Sequence, residues 1–369
     1  MSEPTARRVQ FMMVGGFLGA GKTTALGRLA RALADSGRRV AILTNDQAEG
    51  LVDTALSARL GLPVAEIAGG CFCCRFQDLI DRADELLAAI APDALLAEPV
   101  GSCADLTATV LQPLKRYYGQ KFVVSPYSVL VDPERIDELM QGPRAASPLG
   151  YLFRKQLEEA DLLVLNKQDT LPQKRRDELL EILAAEFPAT PALPLSALSG
   201  DGLEAWWRAV EAGPSAGQRL LDIDYDTYAA AEASLGWLNL KARLAGPEPF
   251  DAAAVAHALL SEIRHGAVRL AAEIGHVKVL VEAENAALRM SLTRIGAPIE
   301  PSGGVPSPVE AATLTLNARV EMPPEELRDL VMRGLRRICN EQRVTPEIET
   351  LSAFSPARPE PTYRFDTPL

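Results

Sequence analysis

The sequence predicts an α/β protein, with a mainly parallel sheet and flanking helices, followed by a smaller C-terminal α+β domain. Three observations carry this. Short apolar runs alternate with helix-spaced apolar residues up to about residue 212. A glycine-rich loop joins the first run to the first helix. The break "GPSAGQR", residues 213–219, then separates this pattern from a second one with longer strands. At 369 residues, 47% hydrophobic and 24% charged, the chain can bury two cores. The expected division is 1–212, a linker at 213–232, a second domain at 233–355 and a proline-rich tail or edge wrapping at 356–369.

The first strand, residues 9–14, leads into "GGFLGAGKTT". Gly16, Gly21, Lys22 and Thr23 form the pattern G-x-x-x-x-G-K-T, with Gly19, Ala20 and Thr24 completing the loop and helix start. Glycines let backbone N–H groups wrap a phosphate, and the following helix turns its positive dipole end toward the anion. Lys22 is expected to reach the β/γ-phosphates and Thr23 to ligate magnesium. Leu26, Leu29, Ala30 and Leu33 mark the buried face of the helix. This makes the first domain a P-loop NTPase fold.

A second strand, 40–44, is followed by Asp46, Glu49 and Asp53, where a switch loop would lie. These acids are candidate magnesium or metal ligands, or plain surface charge. Next comes "GGCFCC", residues 69–74, with three of the chain's five cysteines. Thiolates bind zinc and other soft or borderline metals, so Cys71, Cys73 and Cys74 are candidate ligands. Reversible oxidation and buried structural thiols are the competing readings. In an extended segment Cys71 and Cys73 would share a side and Cys74 would face away unless the chain bends. Water, Glu49 or Cys103 could fill a fourth position.

The strand 94–97 ends in Glu98, placed to orient the magnesium shell or the attacking water. Further strands are expected at 128–131, 162–165 and 192–195. The fifth of these six ends in Asn166-Lys167-Gln168-Asp169. The Asp169 carboxylate can accept from both N–H groups on one edge of guanine, a donor pair that adenine lacks. Main-chain N–H groups of Ser196 and Ala197 are expected to back the base.

In the second domain, strands are expected within 237–244, 276–283, 287–295 and 312–322, with helices at 251–264 and 324–341. Residues 295–310 read as a loop, and Cys339 as core. His257, His265 and His276 are scattered and read as ordinary structural or surface residues.

Composition narrows the function. A net charge of −11 argues against a general nucleic-acid or membrane-surface binder. No apolar run approaches a membrane span. "ARRVQFMMVGG" looks superficially like an export signal but runs directly into the phosphate loop. Crowded cysteines make poor disulfides, so a reducing, cytoplasmic setting is expected.

The phosphate loop, "GGCFCC", "AEPVG" and "NKQD" occur here in an order that resembles the CobW-type GTPases, a metallochaperone group among P-loop proteins. The resemblance implies GTP hydrolysis coupled to delivery of a transition metal, often zinc or cobalt, to a client metalloprotein. It implies Cys71, Cys73 and Cys74 as ligands, and nucleotide-dependent homodimerisation is common in the class. Lys22, Glu98 and Asp53 are then the expected catalytic group. Two departures stand out. The switch segment is Asn45-Asp46-Gln47-Ala48-Glu49 where the family reads close to Asn-Glu-Phe-Gly-Glu. The hydroxyls that the family carries after its strand-end glutamate are replaced by Pro99 and Val100. A metal-dependent switch with little hydrolysis, or a GTP-driven remodeller of a metalloenzyme or corrinoid protein, are the alternative readings.

Overall fold

The structure, a computed structural model, describes residues 8–45, 61–213 and 216–369. Asp46, Glu49 and Asp53 lie outside the described residues. Among the described residues, the chain divides into two compact units: one takes in residues 8–45, 61–213, 216–228 and 359–369, the other residues 229–358.

Among the described residues, the first unit holds an eight-stranded sheet. Its strands are β1 (Val9–Gly16), β2 (Val40–Asn45), β3 (Val64–Ile67), β4 (Ala94–Glu98), β5 (Phe122–Val124), β6 (Ser128–Val131), β7 (Leu162–Leu165) and β8 (Ala192–Pro194). The order is β3-β2-β4-β1-β6-β7-β8, with β5 also on β1, and every pairing is parallel. β2, β4, β6 and β7 are buried along their whole length, which is why they read as unbroken apolar runs. The helix Lys22–Asp35 turns Leu26, Leu29, Ala30 and Leu33 into the core beside Met12, Val14 and Leu96.

Parallel strands put all their carboxyl ends on one edge, and loops leaving that edge are where such sheets bind ligands. Strand order therefore orders the motifs. The thiol loop follows β3, Asn45 closes β2, Glu98 closes β4, the phosphate loop follows β1, and Asn166–Asp169 and Ser196 follow β7 and β8. With strands about 4.8 Å apart, the thiol loop and the phosphate loop leave the edge about 14 Å apart. Glu98 leaves from a strand between them.

Two strands of this sheet escaped the sequence reading. β3 is four residues long and mostly half-buried, and β5 is three residues long, so neither makes a periodic signal. The stretch read as a linker is tied to the first unit as far as Tyr228. Gln218 N–H donates to Asp161 (3.2 Å), Gln112 and Lys115 hold the carbonyls of Gly217 and Ala216, and a helix runs Tyr225–Ala233.

The second unit is an antiparallel sheet in the order β12-β11-β10-β13-β9-β14. The strands are β9 (Gly236–Phe250), β10 (Ile274–Ala283), β11 (Ala286–Leu292), β12 (Glu300–Gly304), β13 (Val309–Val320) and β14 (Thr345–Phe354). Helices Ala252–Arg269 and Pro324–Glu341 bury Leu259, Ile263, Leu327, Val331 and Leu335 against it, with Cys339 in the same core. β12 forms within the stretch expected to be a loop. It is wholly exposed, so it carries no apolar alternation to read. β14 was likewise not anticipated; its burial alternates only over its first five residues, and none of its residues is fully buried.

Candidate functional site

The phosphate loop takes its shape from its glycines. Gly19 and Gly21 have φ of 84° and 90°, left-handed values that other residues resist. A Cβ on Gly21 would stand 2.5 Å from the Asn166 Nδ2 atom. Gly21 precedes the helix without a side-chain cap, so the first N–H groups of the helix are left for an anion. Lys22 is buried, and its Nζ donates to the carbonyls of Gly16 (2.8 Å) and Phe17 (3.5 Å). Thr23 Oγ1 donates to Glu98 Oε1 at 3.0 Å. A phosphate thus fits a cradle with a nearby cation, and magnesium fits the hydroxyl–carboxylate pair Thr23–Glu98. Thr24 lies in the first turn and Ala20 is buried beneath the loop.

On the other side, Asn166 joins two loops: Nδ2 donates to Ala20 O (2.8 Å), and Oδ1 accepts from Ala197 N (2.9 Å). Lys167 is left-handed (φ 59°) and its Nζ pairs with Asp132 Oδ2 at 2.7 Å. Asp169 is exposed in the short turn Gln168–Thr170, so its carboxylate is open to a base. The expectation for Ser196 and Ala197 needs amending. Both N–H groups are engaged inside the protein, Ser196 with Asp201 O (2.8 Å) and Ala197 with Asn166. They shape the base-side loop, which Arg28 also holds through Ala197 O (2.8 Å). Sequence reasoning missed Asp132 and Arg28, because a lone acid after a strand and an arginine on a helix carry no motif.

The thiol loop is built by Asn45, the first residue of the switch segment, whose part in shaping this loop the sequence did not announce. Its Nδ2 donates to Ile67 O (2.9 Å) and Gly70 O (2.7 Å), and its Oδ1 accepts from Phe72 N (2.8 Å). Gly69, at φ 79°, begins the bend. The segment 71–75 is a turn, with Cys74 N and Arg75 N both donating to Cys71 O (3.1 and 2.9 Å). Cys74 therefore joins the other two instead of facing away. The sulfurs lie 2.7 Å (Cys71–Cys73), 3.3 Å (Cys71–Cys74) and 3.7 Å (Cys73–Cys74) apart. Tetrahedral zinc with Zn–S of about 2.3 Å has S···S edges of about 3.8 Å. Two separations are near this value, and the third has to widen. Among the described residues, no other group of three or more His, Cys, Asp or Glu gathers its ligand atoms within 4.8 Å. His257 and His265 are exposed, and His276 is buried.

Cys71 and Cys73 are buried and Cys74 is half-buried. Hydrogen bonds from Cys103 first, then from Cys73 and Cys74, hold the Cys71 thiol well below the usual range. Hydrogen bonding to Cys71 pushes Cys73 well up, and the same cause lifts Cys74 to about 11. Cys103, buried in the loop after β4, is thus in contact with the cluster. That loop also approaches the phosphate side: a Cβ on Gly101 would stand 2.9 Å from Lys22 Nζ. Gln156 Nε2 fixes it through Gly101 O (3.0 Å) and Cys103 O (2.9 Å).

Comparison with known proteins bears on this arrangement. Residues 10–192 match the family model described as CobW/HypB/UreG, nucleotide-binding domain. Zinc chaperone CobW of Pseudomonas aeruginosa is 29% identical over 244 residues, 54% of this chain and 62% of that protein. Zinc chaperone YeiR of Escherichia coli is 33% identical over 172 residues, 44% of this chain and 48% of that protein. The matches thus span between about half and three-fifths of these relatives. A solved zinc-bound YjiA GTPase from E. coli aligns with 89% of this chain and 99% of its own, at 16% identity and a TM-score of 0.37, too loose a likeness to add weight.

Proposed function

We propose that this chain, whose residues 10–192 match the CobW/HypB/UreG nucleotide-binding domain, is a GTPase that carries one transition-metal ion on Cys71, Cys73 and Cys74 and delivers it to a client metalloprotein when GTP turns over. Zinc is the leading cargo, on the chemistry of three thiolates and the similarity to two zinc chaperones. The observation that carries the reading is the convergence of three sulfurs in one turn, on the same sheet edge as the phosphate loop.

The chemistry follows from the residues. Lys22 exchanges the Gly16 carbonyl for phosphate oxygens, and helix N–H groups bind the rest. The Thr23 hydroxyl would hold magnesium, and the Glu98 carboxylate, released from its hydrogen bond with Thr23, would hold the attacking water. When bound, magnesium offsets the charge that grows on the phosphate oxygens. Asp169 selects guanine. Three thiolates leave a fourth position open, as a transferable ion requires. Turnover from this chain by itself is expected to be slow, because none of these residues is an arginine aimed at the phosphate. The setting is proposed to be cytoplasmic; among the described residues no helix is long and apolar enough to cross a membrane.

Zinc stoichiometry by equilibrium dialysis, measured beside GTP turnover, tests the proposal. One zinc per chain in the wild type and loss of tight binding in Cys73→Ser, with GTP hydrolysed by both, supports it. Unchanged zinc binding in Cys73→Ser contradicts it.

A further inference from the structure

The C-terminal residues do not end as a free tail. Residues 359–369 belong to the first unit and lie against the thiol turn. Glu360 N–H donates to Cys74 Sγ at 3.3 Å, and Thr362 donates through N–H to Cys73 O (2.9 Å) and through Oγ1 to Cys74 O (3.4 Å). Cys74 is the thiol that keeps some exposure, so this segment lies on the side from which the cluster can be reached.

The segment has no helix or strand of its own, and most of its residues are exposed on their outer side. Main-chain hydrogen bonds hold its far end, Phe365 N–H to Ala108 O (3.1 Å) and Leu369 N–H to Gln112 Oε1 (2.8 Å), and side-chain anchors hold its middle. The Tyr363 ring stands edge-on to Phe76 (5.3 Å) and beside Tyr117 (5.1 Å). Arg364 reaches inward, with Nε donating to Asp105 Oδ2 and Nη2 to Leu221 O, at 2.8 and 2.9 Å. Asp105 is 1% exposed, left-handed (φ 62°) and two residues past Cys103 in the loop that leaves Glu98. One strap thus touches both the thiols and the loop that approaches Lys22.

We propose that residues 359–369 are a displaceable strap over the thiol site, fastened by Arg364 on Asp105 and by Tyr363 between its aromatic neighbours, and that metal enters and leaves, and a client reaches it, when this strap lifts. The inference rests on the metal reading of the thiols. The geometry suits it: the contacts to the thiol turn are main-chain or hydroxyl hydrogen bonds, which form and break without disturbing a core. Segments with exposed hydrogen bonds and few buried contacts open at low free energy. A client segment that offers its own ligand would have to occupy the same place.

The test uses the full chain and the variants Arg364→Ala and Tyr363→Ala. The second leaves the buried Asp105 with its partner, so it guards against misfolding in the first. Two readouts are taken: alkylation of Cys74 by iodoacetamide in metal-free protein, followed by peptide mass spectrometry, and zinc transfer to a chromogenic chelator. Each variant is expected to raise the Cys74 alkylation rate by about tenfold or more, and zinc transfer with it, at unchanged zinc stoichiometry. Alkylation within twofold of wild type in both variants overturns the strap. If the wild type holds no zinc on its thiols, the metal reading fails, and alkylation still decides whether the strap covers Cys74.

Discussion

Asp169 and Glu159 show how differently two carboxylates can be used. Asp169 is exposed beside the site and offers two acceptors. Asp169→Asn replaces one acceptor by a donor, which suits a base with a carbonyl in place of the guanine amine. The expected result is a loss of GTP affinity of about a hundredfold or more, with xanthosine triphosphate now preferred, measured by nucleotide titration. Glu159 is fully buried; Oε2 accepts from Thr107 N at 3.0 Å while Oε1 has no hydrogen-bond partner. Burial pushes its carboxyl well above the ordinary carboxylate value. The folded protein then keeps a proton that the unfolded chain releases above about pH 4.5, so this group destabilises the fold increasingly as pH rises toward the folded-state value. Glu159→Gln removes that titration. Its thermal midpoint is expected to fall less than the wild-type midpoint between pH 5 and 8; an identical pH slope in both would contradict the assignment.

At the scale of elements, the edge of the sheet is organised by two asparagines. Asn166 ties the β7 end to the phosphate loop, and Asn45 ties the β2 end to the thiol turn. Removing Asn45 leaves Phe72 N–H and the Ile67 and Gly70 carbonyls without this partner. Asn45→Ala is expected to destabilise the first unit by about 1–3 kcal/mol and to weaken zinc binding by about ten- to a hundredfold, read by thermal unfolding and chelator competition. The phosphate loop and the buried parallel strands were legible because their signals are local: glycines at fixed spacing, and unbroken apolar runs. The thiol turn was only half legible. "CFCC" marked where the thiols crowd, but the shape of the turn depends on β3 and on Asn45, which a short half-buried strand and one polar residue do not announce. The strap was legible only as proline-rich composition, because its anchors, Tyr363 and Arg364, find partners more than a hundred residues away in sequence.

For the whole molecule, strand order is the deciding fact, and it is written nowhere in the local sequence. The order β3-β2-β4-β1-β6-β7-β8 sets sulfur on one side of the phosphate loop and Asn166–Asp169 on the other. β4 then carries Glu98 and the loop Gly101–Cys103 between sulfur and phosphate. A change at Lys22 and Glu98 can therefore reach the cluster through about five buried residues of one loop. The size expected for such a linkage is a five- to about 150-fold change in affinity. The most direct measurement is the zinc dissociation constant of the full chain, by competition with a chelator, once with GDP and once with a non-hydrolysable GTP analogue. Tighter binding by about tenfold or more with the triphosphate analogue is the expected result. Equal affinity in the two states would contradict the coupling of metal release to GTP turnover.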